Sequence, residues 1–239
     1  MTAKPDKEKK TPFDAERAPR YDSTIQAVMP GYQSLHALVK FLLADCLGDE
    51  AHLLIAGVGT GLEIEILGNA NPGWRFTGFD PSEGMIDQAK ARMDRTGLAE
   101  RARLVVGAID DLDPAPAFDA ATLLLVMHFL PDNGAKLAML KGIAQRLKPG
   151  APLVLADLHG ASDTARHARL MKVWRHWQLA HGLDPEDVEK GFRFIAKNVH
   201  FVPETRLFAL LHEAGFTGIE HFHQAFLAGG WLAFRHGRS

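Results

Sequence analysis

Over residues 52–158 this chain alternates short apolar runs with segments of helical period, and few folds accept that pattern. HLLIAG (52–57) ends in glycine, and TGLEIEILGNANPG (60–73) has helical spacing and stops at Asn-Pro-Gly. WRFTGFD (74–80) alternates like a strand, and PSEGMIDQAKARMDRTG (81–97) is a helix opened by Pro81 or Ser82 and closed by Gly97. RARLVVGA reads as a strand, FDAATLLLVMHFL (118–130) as a longer buried one, NGAKLAMLKGIAQRLKPG as a helix and APLVLADLHG as another strand. Strands alternating with helices of this length indicate βαβ units and a parallel sheet. Strands apolar throughout are expected when helices cover both faces.

The flanks differ. Residues 1–20 are charged and proline-punctuated and read as a flexible tail, because they bury too little to offset ordering. A helical pattern begins near Ser23, breaks at Pro30-Gly31 and resumes through Leu35, Leu38, Val39, Leu42, Leu43 and Cys46. Residues 163–214 are helical in character. GIEHFHQAFL and GWLAFRH then read as a hairpin connected through Ala228-Gly229-Gly230. The expected fold is a Rossmann-like α/β domain. It has a seven-stranded, mostly parallel sheet, a terminal antiparallel hairpin and a helical insertion or lid after the fifth strand. The expected organisation is a tail (1–20) and one domain (21–239), with cap helices at 21–48 and the insertion at 163–200.

Within that pattern, G-V-G-T-G (57–61) sits between the first strand and its helix. A glycine turn there lets the backbone approach a ligand and points helix N–H groups at it. The spacing is Gly57-x-Gly59-x-Gly61, with Leu62 where a dinucleotide fingerprint would place its third glycine. Asp80 follows 19 residues beyond Gly61 at the end of the second strand, where a carboxylate accepts from both hydroxyls of a ribose. Capping the next helix is its structural alternative.

Bulk properties narrow the class. With 239 residues, 46% apolar, there is ample material for a core. A net charge of −2 gives no general attraction for nucleic acid or membranes, so direct nucleic-acid binding is not expected. No apolar run approaches the roughly 20 residues that span a bilayer, and no secretory signal pattern is present. A cytoplasmic enzyme is the expectation. Cys46, the lone cysteine, lies in an apolar helical pattern and reads as a small hydrophobe.

Taken in order, LLIAGVGTG, GFDPSEGMIDQAKARM, LVVGAIDDL and FDAATLLLVMHFLPD followed by LKPGAPLVLAD resemble the motifs of class I S-adenosylmethionine-dependent methyltransferases. The resemblance covers nearly the whole chain after residue 20. It implies S-adenosylmethionine as cofactor, held by Gly57, Gly59, Gly61 and Asp80. Pro81, Met85, Ala108, Ile109 and Val126 would be further contacts, Met85 packing on the adenine or ribose. Two family acids are missing. Ile55 stands where an acid commonly helps hold the methionine ammonium, and Ala108 where an acid often contacts the adenine amino group. Asp110 and Asp111 lie nearby out of register and read as surface or capping carboxylates.

The outer segments resemble the carboxy-S-adenosylmethionine synthase group, which acts in tRNA wobble-uridine modification. The resemblance of VMPGYQSL makes Tyr32 a candidate cofactor contact, and that of KGFRFIAKNV with LLHEAGF places Arg193 where that group pairs an arginine with the cofactor's extra carboxylate. Leu124 replaces an asparagine of the group's fourth strand.

Acceptor-side candidates lie at strand ends and in the insertion. His128 ends the fourth strand, and Asp157 and His159 end the fifth; each histidine reads either as a base or orienting group or as a packed, hydrogen-bonded histidine. Arg193 reads as an anion contact or an ordinary surface cation. Leu170, Met171, Trp174 and Trp177 form either a lid or a core face. His221 and His223 fall on one face of a strand without a matching ligand set, so no metal is expected.

The leading expectation is methyl transfer to a small-molecule or nucleotide-like acceptor, with catalytic candidates His128, His159 and Arg193; a homodimer is compatible with it. The alternatives are a carboxy-S-adenosylmethionine synthase-like enzyme using prephenate and a non-catalytic S-adenosylmethionine-binding protein. A nicotinamide-dependent oxidoreductase is disfavoured by the glycine spacing and the terminal hairpin.

Overall fold

The computed structural model describes residues 21–115 and 117–237, so the tail expected at 1–20 lies outside the described residues. Helices α1 (Tyr21–Val28) and α2 (Tyr32–Cys46) precede the sheet. Strands β1 (Glu50–Ala56), β2 (Gly73–Asp80), β3 (Ala102–Val106), β4 (Ala120–Leu124) and β5 (Pro152–Leu158) follow in sequence. Helix α3 (Leu62–Ala70) joins β1 to β2, α4 (Glu83–Thr96) joins β2 to β3, and α5 (Ala135–Arg146) joins β4 to β5. Three helices, α6 (Ala165–Ala180), α7 (Pro185–Asn198) and α8 (Glu204–Glu213), separate β5 from the hairpin β6 (Phe216–Ala225) and β7 (Ala228–Arg235).

The strands lie in the order β3-β2-β1-β4-β5-β7-β6; the first five are parallel, and β7 runs antiparallel to both β5 and β6. This is the expected fold. Strand order reverses between β1 and β4, which opens a crevice at the strands' C-terminal ends, where open α/β sheets take their ligands.

Apolar side chains cover both faces. Leu35, Val39, Ile55, Ile64 and Ile86 pack on the α2–α4 side, and Leu140, Ile143, Leu207, Leu211 and Phe216 on the α5–α8 side. A third cluster, with Tyr32, Leu158, Trp174, Phe192 and Leu227, roofs the crevice. Capping follows local chemistry: Ser82 Oγ accepts from Met85 N (3.3 Å) at the start of α4, and Gly97 closes that helix at φ 71. No helix among the described residues is long and apolar enough to cross a membrane.

Three local expectations need correction. The long strand expected over 118–130 stops at Leu124, because Leu125 turns to φ 59 and the chain continues as a short 3-10 turn at Met127–Phe129. His128 therefore lies in that turn.

The hairpin connection is Phe226-Leu227, not Ala228–Gly230, which lie inside β7. Gly229 and Gly230 are small because of close approach. A Cβ on Gly229 would stand 2.5 Å from the Trp231 ring, and one on Gly230 2.8 Å from Phe222.

His221 and His223 do not share a face. A register shift between them pairs His221 with Trp231 and His223 with the adjacent Gly230, so the two side chains diverge. His221 stacks on Trp231, and His223 reaches Gly31 at the start of α2.

Candidate active site

The glycine loop is pinned from below. Gly57 N and Val58 N both donate to Phe79 O (2.9 and 3.0 Å), and Gly61 N donates to Val58 O (3.0 Å). All three glycines have positive φ, but their surroundings differ. A Cβ on Gly57 would strike Val126 Cγ2 at 2.3 Å, and one on Gly61 would meet Ala89 at 3.2 Å. Gly57 thus lets the turn after β4 approach the loop, and Gly61 lets α4 approach α3. Gly59 alone faces open space, with nothing within 4 Å of its Cβ position.

Half-buried Asp80 completes this cradle. Its Oδ2 accepts from Gly59 N (3.1 Å) and its Oδ1 from Ser82 N (2.9 Å). Burial pushes its carboxyl above the ordinary range, and the two N–H groups oppose that shift. Each oxygen retains acceptor capacity for a ligand hydroxyl. Met85, fully buried, begins α4 just beyond. After β3, Ala108 N donates to Asp111 Oδ2 (2.8 Å), so Asp111 is the capping carboxylate its register suggested. Ile109 is buried behind it. An open glycine cradle beside an acceptor-only carboxylate fits a nucleoside carried close to the backbone.

The N-terminal helices close one side. Thr60 Oγ1 donates to Asp22 Oδ1 (2.7 Å), and Arg92 of α4 pairs with both Asp22 and Glu65. Tyr32 is buried within the roofing cluster, where Leu62 also packs, 4.4 Å from the His36 ring. Beneath the loop lies a group that sequence reasoning missed. Glu63, in the first turn of α3, is buried, and its Oε1 has no hydrogen-bond partner. Burial raises its carboxyl to about 7, with Thr122 of β4 as the polar neighbour that lowers it. The contact is loose, since Thr122 Oγ1 also lacks a partner within hydrogen-bond geometry. Its signal was helical spacing: Glu63 precedes Leu67 by four positions, on the buried face of α3.

Across the crevice, β4 and β5 bring two candidates together. His128 Nδ1 lies 2.5 Å from Asp157 Oδ1, and the same oxygen accepts from His128 N (3.0 Å). Both residues are buried, at 4% and 1% exposure, so the pair is desolvated. Lys136 of α5, also missed from sequence, is wholly buried and donates from Nζ to Met127 O (2.8 Å). Burial lowers its ammonium, against the attraction of Asp157 and Asp132. His200 N donates to His128 O (2.7 Å), tying the α7–α8 connection to the same turn.

His159 is not part of this pair. Its Nε2 lies 3.0 Å from Gln224 Oε1, its ring meets Trp231 edge-on, and burial lowers its pKa. Arg193 is exposed on α7, whose buried residues are Val188, Phe192 and Ile195. Its neighbour Phe194 packs edge-on against Phe129. Trp174 is core, donating from Nε1 to Val28 O (2.6 Å). Among the described residues no group of three or more His, Cys, Asp or Glu side chains is arranged to hold a metal. Cys46 is half-buried, and burial raises its thiol, which keeps it a weak nucleophile.

Comparison with known proteins agrees with this geometry. Residues 54–153 match a family model described as a methyltransferase domain. The carboxy-S-adenosyl-L-methionine synthase of Chromohalobacter salexigens is 26% identical over 227 residues, which cover 93% of this chain and 83% of that one. The fold is similar to that of a putative O-methyltransferase from Nostoc punctiforme (TM-score 0.66, 15% identity, 92% of this chain). It is also similar to human N-acetylserotonin methyltransferase in complex with S-adenosylmethionine (TM-score 0.63, 19% identity, 93% of this chain). This chain spans only 59% and 57% of those two structures.

The matched domain over residues 54–153, the fold and the glycine cradle together support an S-adenosylmethionine-dependent methyltransferase. Within that class the chain is related to the carboxy-S-adenosylmethionine synthases.

Proposed function

We propose that this enzyme methylates a small aromatic or aliphatic acceptor that lies under the α6–α7 layer and presents a hydroxyl or amine to His128. The observation that carries the reading is the buried His128–Asp157 pair, two residues beyond the Val126 side chain that abuts the glycine loop. The roof of Trp174, Phe192, Leu158 and Leu227 is apolar, which suits an uncharged, flat acceptor.

When bound, S-adenosylmethionine supplies a methyl group already activated on a sulfonium. In this reading Gly57, Gly59, Gly61 and Asp80 hold the nucleoside, with Pro81, Met85, Ala108, Ile109 and Val126 around it and Tyr32 closing the cap side. Asp157 accepts from Nδ1, which fixes the tautomer and leaves Nε2 as the acceptor of a proton. Nε2 would accept the proton that the acceptor's hydroxyl or amine gives up on taking the methyl group, the methyl–sulfur bond breaking and the sulfur leaving as a neutral thioether. Lys136 steadies the turn by holding Met127 O. The apolar roof excludes water that would otherwise compete for the methyl group.

The test is release of S-adenosylhomocysteine with a panel of hydroxyl and amine acceptors. H128N is expected to lower turnover by roughly 10²–10⁴-fold while cofactor affinity stays within about twofold. Unchanged turnover in H128N would remove His128 from catalysis.

A second reading, synthesis of a carboxylated cofactor from prephenate, is favoured by one observation. Relatives of that name align with 93% or more of the chain. The exposed position of Arg193 weighs against it, because a carboxylate-pairing arginine belongs inside the crevice. Mass spectrometry after incubation with S-adenosylmethionine and prephenate decides: no carboxylated product rejects this reading.

A further inference from the structure

The cradle described above leaves one end of its ligand without a counter-charge. A ligand with an amino-acid tail brings an ammonium group, and Ile55, at the end of β1, offers it only a buried hydrocarbon. The neighbouring strand shows where an acid stands instead. In the parallel register Ile55 is opposite Thr122 of β4, so the two side chains project from the same face, about 4.8 Å apart across the ladder. The carboxyl of Glu63 comes down onto that face from the first turn of α3 and meets Thr122. A carboxyl group therefore meets the residue paired with Ile55, on the sheet face to which Ile55 projects.

That group is otherwise unemployed. Glu63 Oε1 is fully buried without a partner, and an isolated carboxyl in such surroundings costs stability that no protein contact recovers. Charged and titratable groups on the packed elements are engaged elsewhere. His36 of α2 holds Tyr32 O through Nδ1, Arg92 of α4 holds Asp22 and Glu65, and Asp80 of β2 holds the Gly59 and Ser82 amides. None of them contributes to the shift of Glu63, which burial dominates. Thr122, its one polar neighbour, leaves Oε1 unpartnered, whereas a cationic ligand group would satisfy it.

We propose that Glu63 supplies the carboxylate that holds the ammonium of the cofactor's amino-acid tail, taking over from β1 by reaching across from α3. The proposal rests on the S-adenosylmethionine reading of the cradle and adds to it the residue that recognises the tail. Because the apo carboxyl titrates near 7, ligand binding below that pH must first remove its proton.

The experiment compares two ligands by calorimetry: S-adenosylhomocysteine, which has the amino-acid tail, and methylthioadenosine, which lacks it. Asp80 faces the ribose common to both, so the ratio of the two affinities isolates the tail. In wild type, that ratio should rise about fivefold in favour of S-adenosylhomocysteine between about pH 6 and about pH 7, following ionisation of Glu63. E63Q should weaken S-adenosylhomocysteine by at least about tenfold, leave methylthioadenosine within about twofold and flatten the pH slope.

Equal weakening of both ligands, or no weakening of either, overturns the role of Glu63 and leaves the cofactor reading standing. A ratio that does not change with pH in wild type overturns it without any variant. Binding of neither ligand to wild type overturns the cofactor reading itself.

Discussion

Two carboxylates, half-buried Asp80 and buried Glu63, behave differently because their partners differ. Asp80 is held by two backbone N–H groups, so replacing it removes the proposed ligand contact and also frees two donors. D80A is expected to weaken S-adenosylhomocysteine by roughly tenfold to a hundredfold in calorimetry and to lower stability by about 1–2 kcal/mol; unchanged affinity would take Asp80 out of the site. Glu63 has no such support. Its folded pKa of about 7 exceeds the ordinary 4.5, so the folded chain keeps a proton that the unfolded chain loses between those values. Stability from this group is full below about pH 4.5, falls as pH rises to about 7 and is flat beyond. E63Q should therefore be more stable than wild type at about pH 8, by about 3 kcal/mol, with the gain vanishing near pH 4.5. Thermal unfolding at the two pH values checks this. Asp80 was legible in the sequence because the end of a strand marks it. Glu63 follows the glycines like any acid in a first helical turn, and only its four-residue spacing from Leu67 placed it inside.

At the scale of elements, composition misled where burial had two possible origins. FDAATLLLVMHFL is mostly apolar, but its second half, where Met127 and His128 are buried, lies in a turn rather than in the sheet. Periodicity cannot tell those apart. Gly229 and Gly230 read as a turn because glycines usually mark one. They belong to β7, where Trp231, His159 and Phe222 leave no room for a side chain. G229A places a methyl 2.5 Å from the buried Trp231 ring and 2.9 Å from His159 Nε2. It should cost roughly 1–3 kcal/mol in denaturant unfolding, and a neutral G229A would mean that the ring has room to move. The same packing explains His159, which the hairpin holds through Gln224, away from the His128 pair. Arg193 follows Phe192 on α7, and the helical turn carries it off the buried face.

At the scale of the molecule, the alternation of strands and helices fixed a parallel sheet, and the reversal of order at β1 and β4 then dictated where a ligand sits. The cofactor was legible because holding a nucleoside takes several residues at set positions along the chain. The acceptor was not, because methyl transfer asks the protein for little beyond alignment, dryness and a proton acceptor. The sequence offered His128 as one of two strand-end histidines; its pairing with Asp157, 29 positions away, emerged only in the fold and is what favours it as the proposed proton acceptor. A bound cofactor should also stabilise the whole fold by about 2.7 kcal/mol at a hundredfold excess over Kd, seen as a rise in Tm. The most direct test of the central claim is calorimetric titration of the full chain with S-adenosylhomocysteine at about neutral pH. One saturable site per chain is the expected result; no detectable binding at millimolar ligand would contradict it.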